Sequence, residues 1–543
     1  MRIERVDKMP SPKKSKTPSL EKENEEGNIE YKLKLIDPTA TRFEHLVTQM
    51  KFRLQEGQGE AIYEIGIEDN GYPKGISEEE LESSIATLEK MANQLHANIT
   101  ILRKREGESG KVAEILVRRL AEEDYLEVRV AVAGNVDSGK STLVGVLTRG
   151  NLDNGRGLAR VNVFRHKHEV ETGRTSSISQ QILGFDSKGE IVNYSLISDQ
   201  AWTKIIEGSA KVLTFIDLGG HEKYLKTTLY GLTGHLPDYA LLVVGSNMGV
   251  VGMTKEHLGI ALALKVPVIV VITKIDICPE HILHQTIDNL TKILKLPGSN
   301  KIPIIIRNED DIIVSAKNLV SGRIAPIFLV SNVSGENLDL LRKFLNILPA
   351  NRKWEDLVDQ HSEFHIDETY SVTGVGTVVA GTVVSGTITI DDILQLGPDE
   401  FGEFRDVKVK SIQNKRFPVK RVVAGQTATF SLRRIQRESI RKGMVLLDQQ
   451  IEPKVAKEFE AEILILYHST TIQKNYQAVI HCGTIRQTAK IVELDKDVVR
   501  TGDKATIRFK FMYYPEYLKE GSKIIFREGR TKGIGKITKI FYD

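Results

Sequence analysis

Gly134-Asn135-Val136-Asp137-Ser138-Gly139-Lys140-Ser141-Thr142 follows directly on the apolar run Leu126–Ala133 and fits the pattern G-x-x-x-x-G-K-[ST]. In that pattern, backbone N–H groups wrap the α- and β-phosphates of a nucleotide. The lysine, here Lys140, reaches the β and γ oxygens, and the hydroxyl of Ser141 ligates Mg²⁺. The surroundings agree. Val128, Val130 and Val132 form a β-branched strand that feeds the loop, and Leu143–Leu147 opens a helix whose positive end would face the phosphates. A chance glycine-rich turn has no reason to sit between a strand and a helix in that order. The stretch implies a nucleoside triphosphate site in an α/β domain.

A chain of 543 residues is too long for one hydrophobic core, which predicts three to four domains. With 41% hydrophobic and 27% charged residues the composition is that of an ordinary globular protein. Its two cysteines, Cys278 and Cys482, lie far apart without metal-ligand spacing. That pattern excludes a disulfide framework or zinc site and predicts a reducing, cytoplasmic setting. No signal peptide is legible in Met1–Glu26, and the apolar run Val266–Ile272 is far short of the ~20 residues a membrane helix needs, so no membrane partner is expected. A net charge of +3 is too small to predict nucleic-acid binding; RNA contact would have to come from local patches.

Charge and Pro/Ser content predict a disordered tail over residues 1–28. Residues 30–120 read as a small α/β accessory domain. Its clearest element is a helix opened by the capping box Ser77/Glu80, with Leu81, Ile85, Leu88, Met91, Ala92 and Leu95 on one face. Strands are expected at Ala97–Leu102 and Val112–Val117. Residues 125–355 alternate β and α patterns and predict a mostly parallel sheet with helices on both faces. Beyond them, short β-branched runs punctuated by glycine predict two small β-barrels, residues 360–452 and 456–543, joined by a linker that contains Pro453.

Two further motifs belong with the phosphate loop. Leu213–Ile216 is an apolar strand ending in Asp217-Leu218-Gly219-Gly220-His221. A carboxylate there suits a water-mediated hold on Mg²⁺ opposite Ser141, and Gly220 lets its N–H approach a γ-phosphate closely. Val268–Ile272 then delivers Thr273-Lys274-Ile275-Asp276, the slot in which GTPases place their guanine reader. Asp276 can accept hydrogen bonds from guanine N1 and N2, whereas adenine lacks those donors and would leave the charge unpaired. Sites of this kind discriminate by roughly four orders of magnitude or more. The usual first residue is Asn. The shorter Thr273 is expected to lose its contact to the phosphate loop, or to make it through water, with a modest drop in affinity. The last base contact is expected from Ser331-Asn332-Val333, which follows the strand Ile327–Val330 and precedes the helix Leu338–Leu345. Val314-Ser315-Ala316-Lys317 is the competing stretch and is assigned to an insertion.

Together these motifs resemble the translational GTPase superfamily of elongation factor Tu and its eukaryotic counterpart. Ser371–Ile388 looks like the first hairpin of that family's second domain. Gly502–Ala505 with Phe526–Thr531 looks like its third, so roughly residues 125–543 are covered. The most specific likeness, carried by Asp217–Thr227 and Thr273, is to the eukaryotic GTP-binding protein 1 and 2 branch, and it reaches into the N-terminal α/β unit. The resemblance implies GTP and GDP as ligands with Mg²⁺. It gives His221 the role of orienting the attacking water and Thr175 that of a first-switch Mg²⁺ ligand beside Ser141 and Asp217. Val136 matches one wing of a hydrophobic gate; the other wing would be Arg174, polar here and a candidate built-in arginine finger. Asp367, Glu368 and Tyr370 match positions lining the aminoacyl pocket. Arg165-His166-Lys167-His168 reads as a solvated basic stretch. Arg433, Arg434, Arg437, Arg441 and Lys442 read equally as a phosphate-backbone track or a plain barrel loop.

The implied partners are the ribosome, an aminoacyl-tRNA or tRNA-like RNA, and exosome or mRNA-decay factors. The implied activity is a GTP-hydrolysing switch with slow intrinsic turnover. A GTP-dependent adaptor with negligible turnover is the competing class; His221 and Thr175 count against it, because a mere binder needs no water-positioning residue.

Overall fold

The computed structural model describes residues 20–542 except 21, 25, 121–124, 162, 165–168, 170–174, 176, 196–200, 297 and 530. The chain divides into two compact units. The first takes residues up to Leu126 together with 185–191 and 208–211; the second takes the rest.

The first unit is built on β1 (Ile29–Lys32), α1 (Ala40–Glu56), β2 (Glu60–Ile65), α2 (Glu78–Gln94), β3 (Ala97–Glu106) and β4 (Lys111–Arg119). The strands form one sheet in the order β1-β2-β4-β3. Ala61, Tyr63 and Ile65 alternate along β2 as Ala113, Ile115 and Val117 do along β4, and both rows pack under Met50 and Leu54 of α1 and Leu88 and Met91 of α2. The Ser77/Glu80 capping box forms as its sequence requires. Of the tail expected to be disordered through residue 28, the described part is ordered. Leu20 and Glu23 donate backbone hydrogen bonds to Gly71 and Asp69, and Glu23 pairs with Arg53 at 2.9 Å. A charged composition hid this packing because the charges are neutralised in place. Arg53 also binds Glu30 at 2.6 Å, and Arg118 binds Glu60 at 2.7 Å, with Lys211 3.2 Å from the same carboxylate.

The second unit opens with a seven-stranded sheet. Its elements are β5 (Leu126–Gly134), α3 (Lys140–Arg149), α4 (Leu158–Val161), β6 (Ser179–Phe185), α5 (Ala201–Gly208), β7 (Lys211–Asp217), α6 (Leu225–Gly234), β8 (Tyr239–Gly245), α7 (Gly252–Ala263), β9 (Val268–Thr273), α8 (Glu280–Lys295), β10 (Ile302–Ile305), α9 (Glu309–Leu319), β11 (Ile324–Leu329) and α10 (Leu338–Ile347). The strand order is β10-β11-β9-β8-β5-β7-β6, and the β5–β8, β8–β9, β9–β11 and β10–β11 pairs are parallel. β8 and β9 are buried along their whole lengths, as Val/Ile/Leu runs covered on both faces must be. After β5 the chain goes to the edge strand β6, returns through β7 beside β5 and then crosses to β8 on the other side, so β5 lies where the strand order reverses. An open α/β sheet leaves its ligand crevice at the carboxyl end of that strand.

Two barrels complete the unit. The first uses β12 (Glu363–Val372), β13 (Gly376–Ser385), β14 (Thr387–Thr389), β15 (Ile393–Gly397), β16 (Arg405–Asn414), β17 (Phe417–Val419), β18 (Arg421–Val423), β19 (Thr427–Leu432) and β20 (Val445–Asp448), and the β15–β16 pairing closes it. The second is a closed six-stranded barrel of β21 (Glu458–Tyr467), β22 (Gln477–Cys482), β23 (Ile485–Leu494), β24 (Lys504–Phe511), β25 (Lys523–Glu528) and β26 (Thr531–Phe541), filled by Phe459, Phe509, Phe511 and Phe526. Named pairs fasten the barrels to the sheet domain. Lys415 lies 2.8 Å from Glu127, the Tyr230 hydroxyl donates to Asp367 O at 2.8 Å, and Glu256 binds Arg527 at 2.8 Å and Lys532 at 2.6 Å. No helix among the described residues is long and apolar enough to cross a membrane.

Candidate functional site: a nucleotide cleft at the end of the first parallel strand

The loop Gly134–Thr142 lies where β5 hands over to α3. Its first N–H, from Gly134, donates to Nδ1 of the buried His257 on α7 at 3.0 Å. Burial pushes that imidazole down to about 3, so it stays a neutral acceptor. Ser138 Oγ donates to Asn135 O at 2.9 Å, and Lys140 Nζ donates to the same oxygen at 2.6 Å. Burial draws the Lys140 ammonium down to about 8, against the pull of Asp217 and Asp137. A buried cation folded onto a carbonyl is a cation in need of an anion, which a phosphate chain would supply.

Asp217, at the end of β7, is fully buried. Its Oδ2 accepts from Ser141 Oγ at 2.6 Å and from Thr175 Oγ1 at 3.4 Å, and the two hydroxyls are 2.8 Å apart. Its Oδ1 is buried with no hydrogen-bond partner among the described residues, and burial raises the carboxyl to about 6. Two hydroxyls and an under-satisfied carboxylate form an all-oxygen donor set, the chemistry a hard divalent cation such as Mg²⁺ requires. Gly220 packs so tightly that a Cβ there would stand 2.5 Å from Lys140 Nζ and 2.8 Å from Asn135 O. His221 lines the cleft with Val136, and its Nδ1 accepts the Lys223 N–H at 3.1 Å. Neutral His221 therefore carries its proton on Nε2.

The base side is assembled from three loops. Thr273 is completely buried, and its hydroxyl donates to Ser138 O at 2.6 Å. The expected loss of that contact is overturned: the Thr273 hydroxyl reaches the phosphate loop directly, without water. Lys274 takes a left-handed conformation (φ 62°), and Ser246 Oγ donates to its carbonyl at 2.9 Å, which fixes the turn through Ile275 and Asp276. The Asp276 carboxylate is exposed at the end of that turn. Ser331 is buried after β11, where its Oγ accepts the N–H groups of Val333 (3.1 Å) and Ser334 (3.0 Å); Asn332 beside it is also buried. Ser315, Ala316 and Lys317 lie inside the helix α9 and not in a loop after a strand. Arg174 and the stretch Arg165, His166, Lys167 and His168 lie outside the described residues.

A larger cavity of about 1080 Å³ opens between the sheet domain and both barrels. It is lined by Asp367, Glu368 and Tyr370 and by the cations Arg416, Arg441 and Arg486. The basic cluster of the first barrel is divided by its partners: Arg441 pairs with Glu516 at 2.8 Å and Lys442 with Glu368. Sequence reasoning missed His257, because a single histidine on an apolar helix gives no hint that its ring meets a loop over a hundred positions away.

Residues 127–350 match the profile of the elongation factor Tu GTP binding domain, 376–447 that of elongation factor Tu domain 2 and 452–541 that of the elongation factor Tu C-terminal domain. The chain belongs to the elongation factor Tu family of GTPases. It is an enzyme that hydrolyses GTP, and the cleft described above lies within the residues that match the GTP binding domain. The chain is 54% identical over 522 residues to GTP-binding protein 1 of Xenopus laevis, covering 95% of this chain and 80% of that protein. It is 51% identical over 539 residues to GTP-binding protein 2 of Homo sapiens, covering 97% and 89%. The solved translation elongation factor SelB of Methanococcus maripaludis, in complex with the GTP analogue GppNHp, shares the fold. It superposes with a TM-score of 0.55 at 19% identity over 77% of this chain and 80% of that one.

Proposed function

We propose that this GTPase is a cytoplasmic switch of the translational type. It acts on ribosomes with an aminoacyl-tRNA or tRNA-like RNA, in delivery or in surveillance linked to mRNA decay. The single observation that carries the reading is the meeting of Ser141, Thr175 and Asp217 within hydrogen-bond reach, since Thr175 comes from a separate segment with no role in a static binder. These three residues would hold Mg²⁺, with Asp217 acting through water. When bound, the ion neutralises charge on the β- and γ-phosphate oxygens.

The protein's own groups do the rest. The N–H groups of Asn135–Thr142 and the ammonium of Lys140 hold the phosphates, while Thr273, Lys274, Ile275, Asp276, Ser331, Asn332 and Val333 surround the base. His221 orients water in line with the γ-phosphorus. Thr175 and Gly220 answer to the presence of the γ-phosphate, so its loss releases both segments and changes how the barrels are presented. The cavity at Tyr370, Arg416 and Arg486 supports an RNA end as cargo, because aromatic faces and cations together suit single-stranded nucleotides.

Single-turnover hydrolysis with and without purified ribosomes tests this proposal. The expected outcome is stimulation by about 10³-fold or more, lost in His221→Ala while GTP binding persists. Equal rates with and without ribosomes would refute it.

A further inference from the structure

Beside Lys140, Thr175, Gly220 and His221, the phosphate cleft is lined by one more cation, Arg160 of α4. Its guanidinium makes no hydrogen bond or ion pair with any described residue. Arginine has five donors in a planar fork suited to phosphate, so one that lines a polar cleft with no partner among the described residues has donors to offer an anionic ligand.

The placement of Arg160 is built into the chain. Asp153 is buried, and its carboxylate accepts the N–H groups of Gly155, Gly157 and Ala159, each at 3.0 Å. Its own N–H donates to Asn332 O at 2.8 Å, which ties the turn to the loop on the base side of the cleft. Asn154 Oδ1 adds the N–H of Arg156 at 2.9 Å. The helix that follows is pressed against α3: a Cβ on Gly145 would stand 2.1 Å from Ala159 O. Gly157, in the left-handed region at φ 86°, lies under the Arg160 side chain, where a Cβ would come within 2.5 Å of Nε and 2.8 Å of Cζ. A side chain at 157 would therefore occupy the space that the guanidinium uses.

We propose that Arg160 is a catalytic arginine supplied by the chain itself, which donates to the phosphate oxygens of GTP and neutralises the charge that moves toward the leaving group. The inference rests on reading this cleft as the GTP phosphate site. In the reaction, the water oxygen bonds to the γ-phosphorus and the bond from that phosphorus to the β–γ bridging oxygen breaks. The electron pair passes to the β-phosphate of GDP, and the water's proton ends on inorganic phosphate. Arg160 keeps its own proton and acts by charge and hydrogen bonding. No activator is needed for that contribution, so it sets the partner-independent rate.

The test uses the full chain without ribosomes: single-turnover hydrolysis, GDP affinity, and assembly of a GDP–aluminium fluoride complex that mimics the transferring phosphoryl group. Wild type is compared with Arg160→Ala, Arg160→Lys and the exposed-neighbour control Arg156→Ala. GTPases that carry an arginine in cis turn over about 30-fold faster unaided than those without one. Arg160→Ala should therefore slow hydrolysis by about 30-fold or more and abolish the aluminium fluoride complex, with GDP affinity changed less than about threefold. Arg160→Lys should recover little, since a point charge lacks the planar fork, and Arg156→Ala should match wild type. A rate within about threefold of wild type in Arg160→Ala overturns the proposal. So does an equal loss of GTP and GDP affinity with unchanged turnover, which would make Arg160 a ground-state phosphate contact only. A wild-type protein that binds no GTP overturns the reading of the cleft itself, and that result is visible before any variant is made.

Discussion

Replacing Thr273 by valine removes one hydroxyl from the base of the nucleotide cleft and little else. That hydroxyl is completely buried, 2.6 Å from Ser138 O and 3.4 Å from Val244 O. In the nucleotide-bound protein the phosphate loop must keep its wrapped form, so the Ser138 carbonyl would be held in a dry pocket without this donor. Leaving a buried acceptor unsatisfied costs about 1–3 kcal/mol. At about 1.4 kcal/mol per decade, affinity should fall between about fivefold and about 150-fold. GTP and GDP should be affected alike, because the contact is beneath the loop and not at the γ-phosphate. Thr273→Ser keeps the hydroxyl and should stay near wild type. Calorimetric titration of GDP and a GTP analogue into nucleotide-free protein measures the effect, with the melting temperature of the free protein as a control for damage to the fold. Valine-variant affinity within twofold of wild type would refute the claim that Thr273 substitutes for asparagine through this bond.

Other outcomes follow from buried charge. Burial opposes the ionisation of Glu127, but Lys415 and Arg129 outweigh it and hold the carboxyl down to about 2. Lys415→Met would strand that carboxylate at the junction with the first barrel and should destabilise the protein by about 3–5 kcal/mol in urea unfolding. The double variant Glu127→Gln/Lys415→Met should recover most of the loss; no recovery would mean the pair does not act as a unit. Burial pushes Glu516 up to about 7 despite Arg441, from an ordinary 4.5. The folded state then holds the proton more tightly than the unfolded one, so this contribution to stability is complete below pH 4.5 and is lost as pH rises through 7. Glu516→Gln should gain on wild type by on the order of 3 kcal/mol between pH 5 and pH 8; parallel unfolding profiles would contradict it. His257→Ala removes the acceptor beneath the Gly134 N–H, and nucleotide affinity should fall by about tenfold; equal affinity in a GDP titration would rule that support out.

The parts of the fold and site that were legible in the sequence are those written in contiguous residues. The phosphate loop, the Asp217–His221 turn and the Thr273–Asp276 turn each end an apolar strand, so strand, turn and chemistry could be read together. The buried strands β8 and β9 and the barrel hairpin Ser371–Ile388 were visible for the same reason. What stayed hidden depends on contacts distant in sequence. α1 carries Arg53 on its buried side, paired with Glu30 and Glu23, so its charge pattern imitates a surface helix. The reach of Thr273 ends on the Ser138 carbonyl, in a loop 135 positions earlier. His257 and Arg160 belong to no short motif; their places are set by packing against the phosphate loop and α3.

Under the proposed function, Asp276 selects guanine and the phosphates are held between β5 and α3. Equilibrium titration of GTP and ATP against the nucleotide-free chain, in the presence of Mg²⁺, addresses this most directly. GTP should bind at least about 10⁴-fold more tightly than ATP. Comparable affinities for the two nucleotides would contradict it.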